Sequence, residues 1–138
     1  MSKDALVKAV KVIVGLARDG KSDEVYGGYA ALFQGPDFAT CKPEEQRQAL
    51  KLMIHAKGQP SQPTEAMLQA YRSAVGPLTE LVSVHGDPGD HDLLGLCHMV
   101  LGNLDSADKI FRAGLNLERA RSPQSDLCGT LMKRIAAL

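Results

Sequence analysis

Between His85 and His98 the chain gathers three histidines, three aspartates and a cysteine: His85, Asp87, Asp90, His91, Asp92, Cys97 and His98. These residue types bind metals, carry protons or act as nucleophiles, so their spacing decides what they can do. On a helix His91 and His98 lie two turns apart, ~10 Å along the axis. Two ligands of one metal ion normally sit on adjacent turns, at i and i+3 or i+4. At that spacing His91 meets Asp87 and His98 meets Leu94, which is not a strong ligand pair, so no metal is expected. Cys97 and His98 are sequence neighbours, and a helix points neighbouring side chains about 100° apart. A thiol–imidazole couple therefore does not follow. Cys97 is expected as a small buried residue and His98 as a packing or hydrogen-bonding one. A metal- or thiol-dependent helical enzyme centred on His91, Cys97 and His98 is the alternative these residues leave open.

Other chemical signals are equally sparse. Gly27-Gly28 falls inside a helical stretch without a following Lys-Ser or Lys-Thr, so it is not a phosphate-binding loop; close helix packing is its expected role. Glu44-Glu45 suits the positive end of a helix and needs no acid–base role. Lys8, Lys11, Arg18 and Lys21 read as a solvated face. The three cysteines, Cys41, Cys97 and Cys128, are odd in number and form no CxxC pair. Neither a disulfide framework nor a zinc knuckle is expected, and a reducing, cytoplasmic setting fits best. No catalytic residue and no cofactor is assigned.

Charge and hydropathy narrow the partners. Sixteen Lys plus Arg balance sixteen Asp plus Glu, so the basic excess that drives nucleic-acid binding is missing. The same neutrality removes one brake on self-association, which keeps a homo-oligomer possible. No apolar run approaches the ~20 residues that span a bilayer, and Met1 to Lys11 does not follow a signal-peptide pattern. A hydrophobic fraction of 44% over 138 residues supports one folded domain, 1–138, with a modest core.

Helical periodicity supplies the elements. Leu6, Ala9, Val10, Ile13, Leu16 and Ala17 recur at helical spacing over about 3–18. Asp19-Gly20 ends this helix, and Ser22 with Asp23 and Glu24 opens a second, running to about Phe33. Pro43 is placed as the first residue of a third helix, which continues to about Lys57 and buries Ala49, Leu50, Met53 and Ile54. The run 58–63 breaks the chain, and Thr64-Glu65 opens a fourth helix. At Gly76-Pro77 that helix is expected to kink or restart, because proline lacks an N–H and crowds the preceding turn. A fifth helix spans about Asp90 to Leu101, and a sixth runs from Asp105 to about Arg121. Ser122-Pro123 is expected to cap a seventh that ends at Leu138. No period-2 pattern marks a strand. The predicted class is all-α, with helix pairs at about 3–34, 43–85 and 89–121 and a capping helix at 123–138.

Helical hairpins joined by short loops and spaced by roughly thirty to forty residues suggest a solenoid. Within 88–121 the series Leu94-Gly95, His98, Gly102-Asn103, Ala107, Phe111 and Gly114-Leu115 resembles a tetratricopeptide repeat. There Gly95 and Ala107 are small where two helices approach, Phe111 fills the gap between hairpins, and Gly102 ends the first helix. His98 stands where the family usually has an aromatic residue. Aligning Gly20 with Gly102 puts Val25, Tyr29 and Leu32 at second-helix core positions, with Ile13 replacing the small residue. Aligning Gly58 puts Lys51 at that small position and needs a longer turn. The resemblance thus covers one good repeat and two degenerate ones, followed by a solvating helix.

Such arrays line a concave groove with the inner face of each pair's first helix. The resemblance assigns to it Val10, Val14 and Ala17, then Gln48, Leu52 and His55, then Asp92, Leu96 and Met99. The Lys, Arg and Asn that clamp a C-terminal carboxylate in part of the family are absent from these positions. What the resemblance implies is a non-catalytic protein–protein interaction module of adaptor or small-chaperone type, taking an apolar or amphipathic segment of a partner. A structural homo-oligomer whose groove is filled by a second copy is a further alternative.

Overall fold

The computed structural model describes Met1–Leu138 and contains seven α-helices: α1 (Lys3–Arg18), α2 (Ser22–Gln34), α3 (Pro43–Ile54), α4 (Glu65–His85), α5 (Pro88–Val100), α6 (Leu104–Arg121) and α7 (Asp126–Ala136). A single 3-10 turn, Phe38–Thr40, joins α2 to α3. There is no strand, and the class is all-α. The chain divides into two compact units, Met1–Pro77 and Leu78–Leu138.

Several helix ends follow the capping residues read from the sequence. Thr64 Oγ1 accepts the Met67 N–H at 3.2 Å and starts α4. At α5 the cap is Asp87, ahead of the start expected at Asp90: its Oδ1 accepts the Gly89 N–H at 2.8 Å and the helix begins at Pro88. Two further ends differ. Ser22 lies inside α2, whose cap is Lys21 with no side-chain hydrogen bond. Ser122 ends α6, while Ser125 caps α7 by accepting the Cys128 N–H at 3.3 Å. Pro123-Gln124 forms a turn between them, so the seventh helix begins later than Ser122-Pro123 suggests.

The α1–α2 and α5–α6 turns close in the same way. Asp19 N–H donates to Gly15 O, Gly20 to Ala17 and Lys21 to Leu16; Leu101 donates to Cys97, Gly102 to Met99 and Asn103 to His98. Gly20 and Gly102 hold φ of +73° and +80°, the left-handed conformation that a helix-ending motif of this type requires. The next bonds, Val25 to Lys21 and Ala107 to Asn103, also match.

In the first unit α1 buries Leu6 and Ile13, two turns apart on one face. Its crossing with α2 is close: a β-carbon at Gly28 would lie 2.8 Å from Ile13 Cγ1. The large residue stands on the first helix here and the small one on the second. Tyr29 and Phe33 stack at 5.6 Å, and Phe33 meets Phe38 at 5.1 Å, so α2 and the 3-10 turn share an aromatic core. After α3 the chain is held by Gln59. Its Oε1 accepts the hydroxyls of Tyr26 at 3.2 Å and Tyr71 at 2.6 Å, and its Nε2 donates to the Ile54 and Ala56 carbonyls at 3.0 and 3.2 Å. One side chain thus ties α2, the end of α3 and α4 together. Beyond it α4 runs through Pro77 as one helix without restarting.

In the second unit α5 is buried along most of its length. Gly95 faces the Phe111 ring of α6, and Gly114 of α6 lies against His91 of α5. Phe111 and Leu131 expose no surface and form a cluster with Ala107, Leu115 and Cys128, across α6 and α7. Burial of that order stabilises by about 2–3 kcal/mol per large apolar side chain.

Candidate functional site

The open apolar feature of the first unit is a cleft of about 320 Å³ between α1 and α3. The two helices are parallel. Cys41 Sγ lies 3.9 Å from Met1 O and the Met1 amine donates to Thr40 Oγ1, so the N-terminal ends adjoin. Ala17 and Gly20 share a second cavity with Met53 and Ala56, so the C-terminal ends adjoin as well. Leu6, Val7, Val10, Ala49 and Leu52 make the cleft apolar. Val7 and Leu52 remain 39% and 48% exposed, which is solvent-facing apolar surface that the chain itself does not cover.

The cleft's edges differ in sign. Lys3 and Lys11 stand on the α1 side, Glu44 and Glu45 on the α3 side. Glu44 accepts Gln48 Nε2 at 3.0 Å and lies 3.7 Å from Arg47 Nη1. Glu45 Oε1 accepts the Lys42 N–H at 3.3 Å. These contacts hold both carboxylates at the start of α3, where the helix end favours negative charge.

Of the groove residues expected from the sequence, Val10, Gln48 and Leu52 come together in this cleft. Val14 is half-buried and lines neither this cleft nor the second cavity. Ala17 lines the second cavity, about 300 Å³, with Tyr26, Tyr29, Met53 and Gln59. Burial raises the hydroxyl pKa of both tyrosines, and for Tyr26 the neighbouring Tyr29 adds to the effect. His55 is exposed at the end of α3 and lines neither cavity.

The trio from α5 is placed differently. Asp92 is buried and its Oδ1 accepts Arg134 Nε at 3.0 Å. Leu96 and Met99 pack against the cluster built by α6 and α7. Through Asp92 this face of α5 meets α7, while Leu96 and Met99 stay half-buried. A helix that covers the exposed face of α6 also passes over part of α5, and Arg134 anchors it there.

The histidine-rich stretch brings no reactive group together. His91 is buried, and its Nδ1 donates to the Asp87 carbonyl at 2.8 Å. His98 is half-buried with Nδ1 3.4 Å from Asn103 Nδ2, and burial holds its pKa below the ordinary value. Cys97 exposes no surface, and burial pushes its thiol up to about 12. A thiol in that state is protonated at neutral pH and is a poor nucleophile. No three His, Cys, Asp or Glu side chains converge in a way that could hold a metal ion.

Sequence reasoning placed none of Val7, Lys3 and Lys11 at a site, Lys11 being read as part of a solvated face, yet all three share the cleft wall with Val10; it also passed over Gln59, whose partners lie on α2, α3 and α4. Val7 stands one helical turn before Val10, so the apolar stripe of α1 was the available signal. Gln59 sits in a Gly-Gln-Pro-Ser break and carried none. No helix is long and apolar enough to cross a membrane. Against known proteins the chain matches no family model, no curated sequence and no solved structure at a significant level.

Proposed function

We propose that the α1–α3 cleft docks an apolar or amphipathic segment of a partner protein, and that the chain is a non-catalytic adaptor or small chaperone-type module. The observation that carries this reading is the cleft's apolar lining, with Val7 and Leu52 left half open to solvent. Charged edges of opposite sign would orient an amphipathic helix laid along it, since such recognition places the apolar stripe inward and reads charge at the rim. The turn shared by α1–α2 and α5–α6 adds support for a repeat of the tetratricopeptide kind. The docking surface in this reading is narrower than nine residues on three helices: Val7, Val10, Gln48 and Leu52 are its centre.

The test is selection of binders from a displayed library of amphipathic helical peptides. Wild type is compared with the double variant Val7→Glu plus Leu52→Glu, whose positions are exposed enough to leave the core intact. Circular dichroism checks the fold. Peptides that bind wild type and lose at least ~tenfold affinity for the folded variant support the reading. Peptides that bind both equally place recognition away from the cleft.

A further inference from the structure

The α1–α3 cleft is complementary to itself. Its basic edge lies on α1 and its acidic edge on α3, and the two helices are parallel with their N-terminal ends side by side. A two-fold axis running along the helices would lay α1 of one copy over α3 of the other, at the same height. Lys3 would then face Glu44 and Glu45 of the second copy, twice over. Val7, Val10 and Leu52 of both copies would close on each other between these pairs. Lys11 would overhang Gln48 and Leu52, where its methylene stem adds apolar cover. A two-fold axis crossing the helices would instead stack α1 on α1 and set lysine against lysine. Charge therefore selects the first arrangement, and a formal net charge of zero brings no long-range repulsion between copies.

We propose that, without a partner segment, two copies of this chain close their α1–α3 clefts on each other as a parallel two-fold dimer, and that a docking segment displaces the second copy. The inference rests on the cleft being the docking surface. It adds that the free surface is stored covered, so that partner binding and self-association compete for the same residues.

Sedimentation equilibrium of the full chain from micromolar to millimolar concentration tests it, on wild type, Lys3→Glu, Glu44→Lys and an equimolar mixture of the two variants. The wild-type mass is expected to rise toward twice that of the chain. Each charge reversal alone sets like charges against each other and weakens the dimer at least ~tenfold. The mixture restores opposite charges at those positions and regains the dimer mass. Leu52→Glu, at a half-exposed position, also dissociates the dimer, and its mass decides the matter should either reversal unfold. A wild type that stays monomeric at millimolar concentration overturns the dimer; if it still binds cleft-directed peptides, the docking reading stands without it. A wild-type dimer insensitive to Leu52→Glu, or a mixture that remains monomeric when both variants are folded, overturns the α1-over-α3 arrangement.

Discussion

Replacing Gly95 by alanine puts a number on the α5–α6 crossing. The added β-carbon would stand 2.2 Å from Cε1, 2.5 Å from Cδ1 and 2.7 Å from Cζ of Phe111. Apolar carbons in contact sit about 3.5–4.0 Å apart, so the ring must retreat by more than ~1 Å. It has little room to do so, because Phe111 exposes no surface and is walled by Ala107, Leu115, Cys128 and Leu131. Overpacking of this kind costs about 1–3 kcal/mol. Against it stands the helix propensity of alanine over glycine, about 1 kcal/mol. Three ring atoms are struck at once, so the steric side wins and Gly95→Ala is expected to destabilise by about 1–2 kcal/mol net. Gly129→Ala in α7 is the control, since its β-carbon meets nothing within 4 Å; it is expected to stabilise by about 0.5–1 kcal/mol. Urea unfolding followed by circular dichroism measures both. Phe111→Leu makes room at the crossing, and its combination with Gly95→Ala is expected to be milder than the sum by about 1 kcal/mol. Equal stabilities for Gly95→Ala and Gly129→Ala would refute the close crossing. Of the other two tightly placed glycines, Gly114→Ala at the same α5–α6 pair is expected to cost more than Gly28→Ala at α1–α2. Its clash is with His91 Cβ at 2.7 Å, an atom fixed to the backbone, whereas Ile13 Cγ1 at 2.8 Å belongs to a side chain that can turn.

Arg134→Met removes the partner of the buried Asp92 carboxylate and is expected to destabilise the second unit by about 2 kcal/mol, discounted for the partly exposed arginine; faster amide exchange confined to α7 is the signature. Gln59→Leu strips an acceptor from two tyrosine hydroxyls and a donor from two carbonyls, with an expected loss of about 2–3 kcal/mol, read from the urea midpoint. Burial holds the His98 imidazole below its ordinary 6.5, so the unfolded chain binds that proton more readily. This contribution to stability is fully present above about pH 6.5 and is lost as pH falls through the folded value. His98→Gln should flatten that part of a stability–pH curve. All three cysteines are buried, and with its thiol pushed up to about 12 Cys97 is expected to react with a disulfide reagent at pH 8 only at the rate of unfolding. Prompt labelling of native Cys97 would show that α5 opens on its own.

Much of the fold was legible because it is set by neighbours in sequence. Pro43 at a helix start, Thr64 as a cap, and Gly20 and Gly102 past helix ends each act within a turn or two, and each stands where local chemistry puts it. Gly95 was legible as a small residue at a close approach, but the side chain that fills that approach is Phe111 of the facing helix, which the resemblance assigned to the gap between hairpins. What was hidden depends on remote partners. Nothing near Asp92 announces that Arg134 will reach it, so a position on α5 that read as free surface is held by α7. Gln59 is undistinguished in a polar break, and only the two tyrosines that reach it make it structural. Pro77 signals an interruption correctly by the rules of hydrogen bonding, yet the helix continues, because losing one N–H donor is compatible with the bonds on either side. In the cleft, Val10, Gln48 and Leu52 followed from the frame of the repeat resemblance, while the charged edges required knowing that α1 and α3 lie side by side.

The close contacts carry their small residue on either helix: Gly28 of α2 under Ile13 of α1 and Gly114 of α6 against His91 of α5, but Gly95 of α5 under Phe111 of α6. Steric accommodation acts on the pair as a sum of volumes, and a sum has no memory of which member is large. Selection on such a site would therefore conserve neither position singly. Across related chains the two positions of a crossing would vary in opposite directions, bulk passing from one helix to the other while the separation between their axes stays constant.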